Sequence, residues 1–453
     1  MSLPPPKLVI PADRGSPGTG TSSSSSSRRG DGSPSPGDNR NKVVELQTTG
    51  SQNSLLIDDD DTFRNVQAPK RSKSQGTTSF TRVASGERRL YSMQQGYTSN
   101  EVVQQGEGYT VIVYHKSMEK LAKAVQSLYP GKIHLIGPTF EYFKDGWPNV
   151  AFTPENVYRM QDDHASVCFL ASFHTPEKVF EQLAVIYALP KMLVRNYRII
   201  VPWFSTGTME RVETMGQIAT AKTLARVLDS TPNCRTGAPI ITIYDIHTLQ
   251  EQFYFNDNVL VELKSAVFLL KQELSRMLKS GSSPSVNKQV VEPFAGEEIA
   301  IAFPDDGAKK RFGSKFPEYP HVVITKQRGE GDKRICRIQD GDAKNRHVIL
   351  VDDMVQTGGT LLESIDALVH AGASKVSCYV THAVFPSESW RRFLNVDKLD
   401  TFYVCDTIPS TRDTLEKIGK PFKILSIAPL LGYLLVGREP GKFKMRDEDK
   451  LDT

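Results

Sequence analysis

From residue 108 onward, short apolar runs rich in β-branched residues alternate with stretches of helical period. Four runs of strand length come first: "GYTVIVYH" (108–115), "SVCFLASF" (166–173), "YRIIVPWF" (197–204) and "APIITIYDI" (238–246). The last three are followed by helical patterns at 176–192, 215–228 and 261–278. Five more strand-like runs follow, at 298–307, 321–326, 347–353, 375–385 and 401–407. Strands that alternate with helices argue for parallel sheets joined by crossover helices, an α/β architecture. Nine such strands over roughly 330 ordered residues suggest two α/β domains rather than one. The expected boundaries are 106–256 and 257–437, with "LKSGSSPSVNKQ" (278–289) as a surface loop and a flexible tail at 438–453.

Residues 1–105 are of another kind. They hold the Ser/Gly/Pro-rich tract "SPGTGTSSSSSSRRGDGSPSPGDNRN", the acidic run 58–61 and the basic cluster "PKRSKS". Such a segment buries too little apolar surface to offset its chain entropy, and a disordered tail is expected. Arginines stand upstream of Ser85 and Ser92, so the tail is either simply solvated or a target for phosphorylation.

The remaining totals exclude more than they assign. A net charge of +4 over 453 residues makes no case for nucleic acid or a membrane surface. No apolar run reaches the about 18 residues of a membrane span, and the N-terminus shows no signal-peptide core. The 5 cysteines are scattered and never form a CxxC pair. They read as thiols in a reducing compartment, with the cytoplasm as the default. Neither GxxxxGK[ST] nor HExxH occurs.

One stretch looks like a site. In "RHVILVDDMVQTGGTLLES" (346–364) an apolar strand ends in two aspartates, and glycines precede a helical pattern that starts near Leu361. In open α/β sheets ligands bind beyond the carboxyl ends of strands. Glycines let a ligand approach the backbone, and amides at a helix start favour an anion. Thr357, Gly358, Gly359 and Thr360 can therefore hold a phosphate. Asp352 and Asp353 would repel that phosphate and suit vicinal sugar hydroxyls or a bridging Mg²⁺ instead. Together they describe a sugar-phosphate site; the alternative is a Gly-rich strand–turn–helix corner.

"VILVDDMVQTGGT" resembles the phosphoribosyl-binding signature shared by type I phosphoribosyltransferases and phosphoribosyl-pyrophosphate (PRPP) synthetases. Three further stretches resemble the synthetases in order and spacing: "YDIH" (244–247), "FPDDGAKKRF" (303–312) and "TKQRGEGDKRI" (325–335). Residues 108–430 resemble the plant-type, class II branch of that family. The resemblance implies two tandem phosphoribosyltransferase-like domains. It also implies transfer of the diphosphoryl group of ATP to the C1 hydroxyl of ribose 5-phosphate, giving PRPP and AMP. Mg²⁺ is the implied cofactor and a homo-oligomer the implied assembly.

The resemblance also implies roles. Lys326 and Arg328, on a mobile flap, would be the catalytic cations, since phosphoryl-type transfer needs positioning and charge neutralisation more than a covalent partner. Asp245 and His247, two apart on a strand, would point to one side and share a Mg²⁺ shell, with Asp305 as a further metal contact and His247 also touching ATP. Phe143 and Asp145 in "FKDGWPN" (143–149) would take the adenine, in the family from a neighbouring subunit. "PWFSTGTMERVE" (202–213) lacks the Ala-Arg-Gln motif of class I members, leaving Arg211 as the candidate ATP cation. Gln356 stands where the family has an acid; Lys310 and Arg311 read as a solvated or structural pair. Two other readings compete: a non-catalytic regulatory subunit of PRPP synthetase, and a type I phosphoribosyltransferase. Intact Asp352, Asp353, His247, Lys326 and Arg328 speak against the first, and the additional domain before residue 257 against the second.

Overall fold

The computed structural model describes residues 108–280, 298–328 and 334–437, without the side chains at 279–280, 327–328 and 334–335. The expected tails, Ser85, Ser92, loop residues 281–289 and flap residues 329–333 lie outside the described residues, as does the side chain of Arg328. The described residues fall in one compact unit. Among them no helix is long and apolar enough to cross a membrane.

The chain enters on β1 (Tyr109–Tyr114), α1 (Glu119–Leu128) and β2 (Ile133–Ile136). An antiparallel hairpin of β3 (Thr139–Tyr142) and β4 (Pro148–Ala151) follows. Then come α2 (Pro154–Gln161), β5 (Ala165–Leu170), α3 (Pro176–Lys191), β6 (Asn196–Val201), α4 (Thr220–Asp229), β7 (Ile240–Tyr244) and β8 (Leu260–Lys264). The first sheet is parallel throughout, in the order β2-β1-β5-β6-β7-β8. After α5 (Val267–Ser280) the second half runs β9 (Ile299–Phe303), α6 (Asp306–Phe312), β10 (His321–Arg328), β11 (Arg334–Asp340), β12 (His347–Val355) and α7 (Gly359–His370). It closes with β13 (Lys375–Ala383), β14 (Leu399–Cys405), α8 (Pro409–Ile418), β15 (Phe422–Leu425) and α9 (Ala428–Val436). Its sheet is ordered β11-β10-β9-β12-β13-β14-β15, parallel except for the flap hairpin β10–β11. Without β11 the two sheets have the same strand order, so the molecule is an internal duplication.

Local sequence accounts for most elements. Val348 to Val351 are buried on both faces of β12, as a central parallel strand requires. α1 buries Leu121, Ala122 and Val125 on one side. α3 opens with Pro176 behind Thr175, the position where a missing N–H costs nothing. β2, β3, β4, β8, β11 and β15 were not expected. Residues 261–264 had the look of a helix start, but they pair with β7 as the sixth strand, and the helix begins at Val267. A short apolar run that abuts a helix cannot be distinguished by period alone. The first sheet therefore continues to Lys264, beyond the joint expected at residue 256.

The helices that end the two halves are exchanged. α5 follows the first sheet but lies on the second: Glu273 pairs with Lys423 of β15, and the Tyr403 hydroxyl of β14 meets Met277 Sδ at 3.6 Å. α9 ends the second half but packs on α1 and β1, and the Thr110 hydroxyl donates to the Leu435 carbonyl at 3.2 Å. There Gly432 admits the Tyr129 ring so closely that a Cβ would stand 2.0 Å from it. One apolar layer thus runs through both halves, from Ile112 and Leu121 through Leu430 and Leu434 to Ile301 and Phe303.

Candidate active site

Two loops leave the second sheet where its strand order reverses, between β9 and β12; this is where an open α/β sheet leaves a crevice. Beyond β9, Asp305 caps α6, its Oδ1 accepting the Ala308 amide at 2.9 Å. Beyond β12, Gly358 adopts a φ of 80° and turns the chain into α7. A Cβ there would fall 2.5 Å from the Phe393 ring, whereas one at Gly359 meets nothing within 4 Å. The first backbone bond of α7 joins the Leu362 amide to the Gly358 carbonyl at 3.0 Å. The amides of Gly359, Thr360 and Leu361 are thereby left for a ligand at the positive end of the helix. From below, Ser389 donates to the Gln356 carbonyl at 3.0 Å and Arg392 to the Thr357 carbonyl at 2.8 Å. The loop shape is thus held by the chain after β13 as well as by its own glycines.

These loops wall one side of a cavity of about 650 Å³. The first half supplies the other wall, with Thr208, Arg211, His247, Thr248, Leu249 and Gln250. Lys326 reaches the cavity from β10, and its amino group donates to the Thr360 hydroxyl at 3.0 Å. The Gln356 amide reaches across to the Thr208 hydroxyl at 3.3 Å, tying the loop after β12 to the first half.

The two aspartates sit in different surroundings. Asp353 is 6% exposed, and its Oδ2 lies 2.8 Å from His247 Nδ1 and 3.6 Å from Arg311. Burial alone would raise the Asp353 carboxyl, but the His247 bond and the Arg311 charge outweigh it and hold it below the usual carboxylate range. That same bond raises His247 against the opposing effect of burial. Asp352 is half-buried on the cavity wall and accepts the Asp353 amide at 2.9 Å. Burial first, then Asp353 beside it and Asp305 across the crevice, push its carboxyl well above the usual range.

A phosphoribosyl transferase domain model matches residues 279–414. Ribose-phosphate pyrophosphokinase 4 of Oryza sativa is 43% identical over 323 residues, which span 70% of this chain and 92% of the relative. Ribose-phosphate pyrophosphokinase 3, chloroplastic, of Arabidopsis thaliana is 43% identical over 307 residues, 65% of this chain and 68% of the relative. The chain belongs to the ribose-phosphate pyrophosphokinase family. The crystal structure of phosphoribosylpyrophosphate synthetase from Mycobacterium smegmatis shares its fold, with a TM-score of 0.57 and 24% identity over 72% of this chain and 97% of that one.

Of the residues expected to serve a pyrophosphokinase site, the cavity gathers Asp352, Asp353, Thr357, Gly358, Gly359, Thr360, Lys326, Asp305, His247 and Arg211. Arg328 ends β10, on the flap next to the cavity, and its side chain lies outside the described residues. Phe143 and Asp145 are elsewhere, on the exposed tip of the β3–β4 hairpin, where Asp145 accepts the Trp147 amide at 3.3 Å. Within one chain they line no part of the cavity. The same-side geometry expected of Asp245 and His247 is not found. β7 stops at Tyr244 and Asp245 has a φ of 37°, so strand alternation no longer relates the two side chains. Asp245 turns inward to Ser265 and Thr381, and His247 turns to Asp353.

Sequence reasoning undervalued Arg311. Its side chain is only 14% exposed, and Nη1 donates to the His247 carbonyl at 3.0 Å. The basic run Lys309–Arg311 was visible, but the His247 carbonyl that Arg311 bonds lies 64 residues away in the other half. Among the described residues no three acidic, histidine or cysteine side chains gather as a complete metal cage. Mg²⁺ bound with a nucleotide keeps its waters and phosphate ligands and needs only one or two carboxylates. Asp352 and Asp305 fit that demand, because each faces the cavity and their mutual repulsion is the kind a cation relieves.

Proposed function

We propose that this chain transfers the β,γ-diphosphoryl group of ATP to the C1 hydroxyl of ribose 5-phosphate, as a plant-type, class II member of its family. The observation that carries the assignment is a single cavity in which the sugar-phosphate loop, Lys326 and the His247–Asp353 pair meet. In this reading the amides of Gly359, Thr360 and Leu361, with the Thr357 and Thr360 hydroxyls, hold the 5-phosphate. The Asp352 carboxyl accepts ribose hydroxyls. Asp353 serves differently: its bond to His247 Nδ1 at 2.8 Å orients the imidazole toward the phosphates, and that bond lowers the carboxyl and raises the imidazole. Arg211, Leu249 and Gln250 form the nucleotide wall.

The C1 oxygen forms a bond to the β-phosphorus as the bridging bond to the α-phosphate breaks; the hydroxyl proton is lost and AMP leaves. Lys326, anchored on Thr360, and Arg328 would neutralise charge that builds on the diphosphoryl oxygens. Mg²⁺ held by Asp305 and Asp352 with substrate oxygens would add charge neutralisation there. Absence of the Ala-Arg-Gln motif, together with Gln356 in place of an acid, supports the class II reading. It also implies weak dependence on inorganic phosphate. The exposed hairpin residues Tyr142, Phe143 and Trp147, with Phe180 beside them, support a homo-oligomer in which the hairpin reaches a neighbouring nucleotide site. Five buried free thiols support a reducing compartment, and a cytoplasmic one is proposed.

The experiment is incubation with ribose 5-phosphate, Mg²⁺ and ATP, followed by nucleotide and PRPP analysis. AMP together with PRPP is expected. ADP in place of AMP would sink the diphosphokinase reading, and no turnover across varied phosphate and donors would favour the regulatory subunit.

A further inference from the structure

Asp245 is 2% exposed, and its carboxylate is fully engaged inside the protein. Oδ1 accepts the Ser265 hydroxyl at 2.7 Å, while Oδ2 accepts the Ala266 amide at 2.9 Å and the Thr381 hydroxyl at 2.6 Å. Arg311 Nη2 stands 3.6 Å from Oδ1. The only cavity that Asp245 lines, of the two described, holds about 10 Å³. That is room for about one water, not for a hydrated divalent cation.

The duplicated fold supplies an internal control. At the end of β14, Asp406 repeats the arrangement: Oδ2 accepts the Ser426 hydroxyl at 2.7 Å and Oδ1 the Ile427 amide at 2.8 Å. In each half the serine then accepts the amide two residues on, Val267 or Ala428, at 3.3 Å. β7 and β14 occupy the same place in their sheets, and the serine turns lead into α5 and α9, the two exchanged helices. Asp406 lines neither cavity. Its arrangement fastens a strand end to a crossing helix, away from both cavities.

Asp245 adds two partners from the other half, Thr381 and Arg311. The same Arg311 guanidinium bonds the His247 carbonyl at 3.0 Å and stands 3.6 Å from Asp353 Oδ2. It thus touches both members of the pair that faces the substrate cavity. His382, which follows Thr381, holds the Tyr244 carbonyl at 3.0 Å and so fixes the strand end from the same side.

We propose that Asp245 is a positioning residue that acts through Arg311 on the His247–Asp353 pair, and that it is not a ligand of the divalent cation. This rests on the diphosphokinase reading, which the parent chain's production of AMP and PRPP tests separately. The full chain is compared with D245N, D406N and R311K. The readouts are kcat per folded protein, half-saturating Mg²⁺, and Mn²⁺ binding in the presence of ATP by electron paramagnetic resonance.

D245N and R311K are expected to lose kcat by about 10-fold to 100-fold, as a displaced catalytic group does. Half-saturating Mg²⁺ and Mn²⁺ affinity are expected to stay within about 2-fold of the parent, well short of the loss that follows removal of a ligand's support. D406N lowers the melting temperature but keeps its kcat per folded molecule, separating fastening from positioning. Mn²⁺ binding weakened by about 10-fold or more in D245N alone would overturn the proposal. So would an R311K chain with parental kcat. If D245N does not fold, R311K decides, because it leaves the carboxylate and its strand clamp in place. If the parent makes no AMP, the functional reading fails and the positioning role falls with it, whereas weakened Mn²⁺ binding by D245N in an active parent overturns the inference alone.

Discussion

Gly358 and Gly359 are neighbours in one loop, yet replacing each with alanine should have separable consequences. At Gly358 the backbone has a φ of 80°, and a left-handed conformation costs an L-residue about 1–2 kcal/mol. The added methyl would also meet the Phe393 ring at 2.5 Å. That ring is 1% exposed and held by edge contacts with Phe402 at 5.0 Å and a tilted one with Phe385 at 5.7 Å, so it cannot swing away freely. Overpacking of this kind adds about 1–3 kcal/mol. The total, roughly 2–5 kcal/mol, corresponds to a fall of several degrees or more in melting temperature, at about 2–4 °C per kcal/mol. Gly359 begins α7 without a positive φ, and its Cβ would meet no protein atom within 4 Å. Its methyl would instead project into the space proposed for the 5-phosphate. G359A should therefore melt within about 1–2 °C of the parent, as surface-like substitutions do, while KM for ribose 5-phosphate rises by about 10-fold or more. Differential scanning calorimetry and steady-state kinetics on both variants supply the check. A G358A chain as stable as the parent would refute the packing argument. A G359A chain with an unchanged sugar-phosphate KM would refute the placement of the phosphate.

Three more outcomes follow from the site and its supports. Lys326→Ala should lower kcat by about 100-fold or more and change ribose 5-phosphate affinity little; loss of affinity alone would remove Lys326 from the transition state. Burial pushes the Glu251 carboxyl up to about 7, against the opposing bonds from Thr248. Between the ordinary glutamate range, about 4.3, and that value the folded state binds more protons than the unfolded one, so this group's contribution to stability is lost as pH rises through the window. Melting temperatures of the parent and E251Q at pH 5 and pH 8 test this: the glutamine variant should show the smaller fall, and parallel falls would reject the assignment. Gly432→Ala should destabilise the exchanged helix by about 1–3 kcal/mol through Tyr129, with unchanged kcat per folded molecule in urea-calibrated assays.

Much of the site was legible because its chemistry is local. The run 348–360 encodes a buried strand, a Gly-bearing turn and a helix start; the strand runs on to Val355 and the helix begins at Gly359, two residues before the expected start. Helix α3 was likewise visible from its proline, its period and its length. β8 was not, because five residues that abut a helix carry no period of their own. The Asp-x-His pair failed for a related reason. Its same-side geometry holds only while the strand lasts, and one residue at a φ of 37° ends it.

By itself, then, the sequence determined the α/β alternation, the position of the glycine turn after β12 and the residue types gathered around it. These follow from hydrogen-bond periods and steric limits that act over a few residues. Only the tertiary structure decided that Asp352 and Asp353 have unlike surroundings, that Arg311 joins both halves, and that each half lends its last helix to the other. Such facts depend on partners far apart along the chain: His247 meets Asp353 across 106 residues, and Thr381 meets Asp245 across 136. No local pattern encodes which charge will lie beside which. Packing of the shared apolar layer sets those distances, and the charges then take the states that burial and neighbours impose.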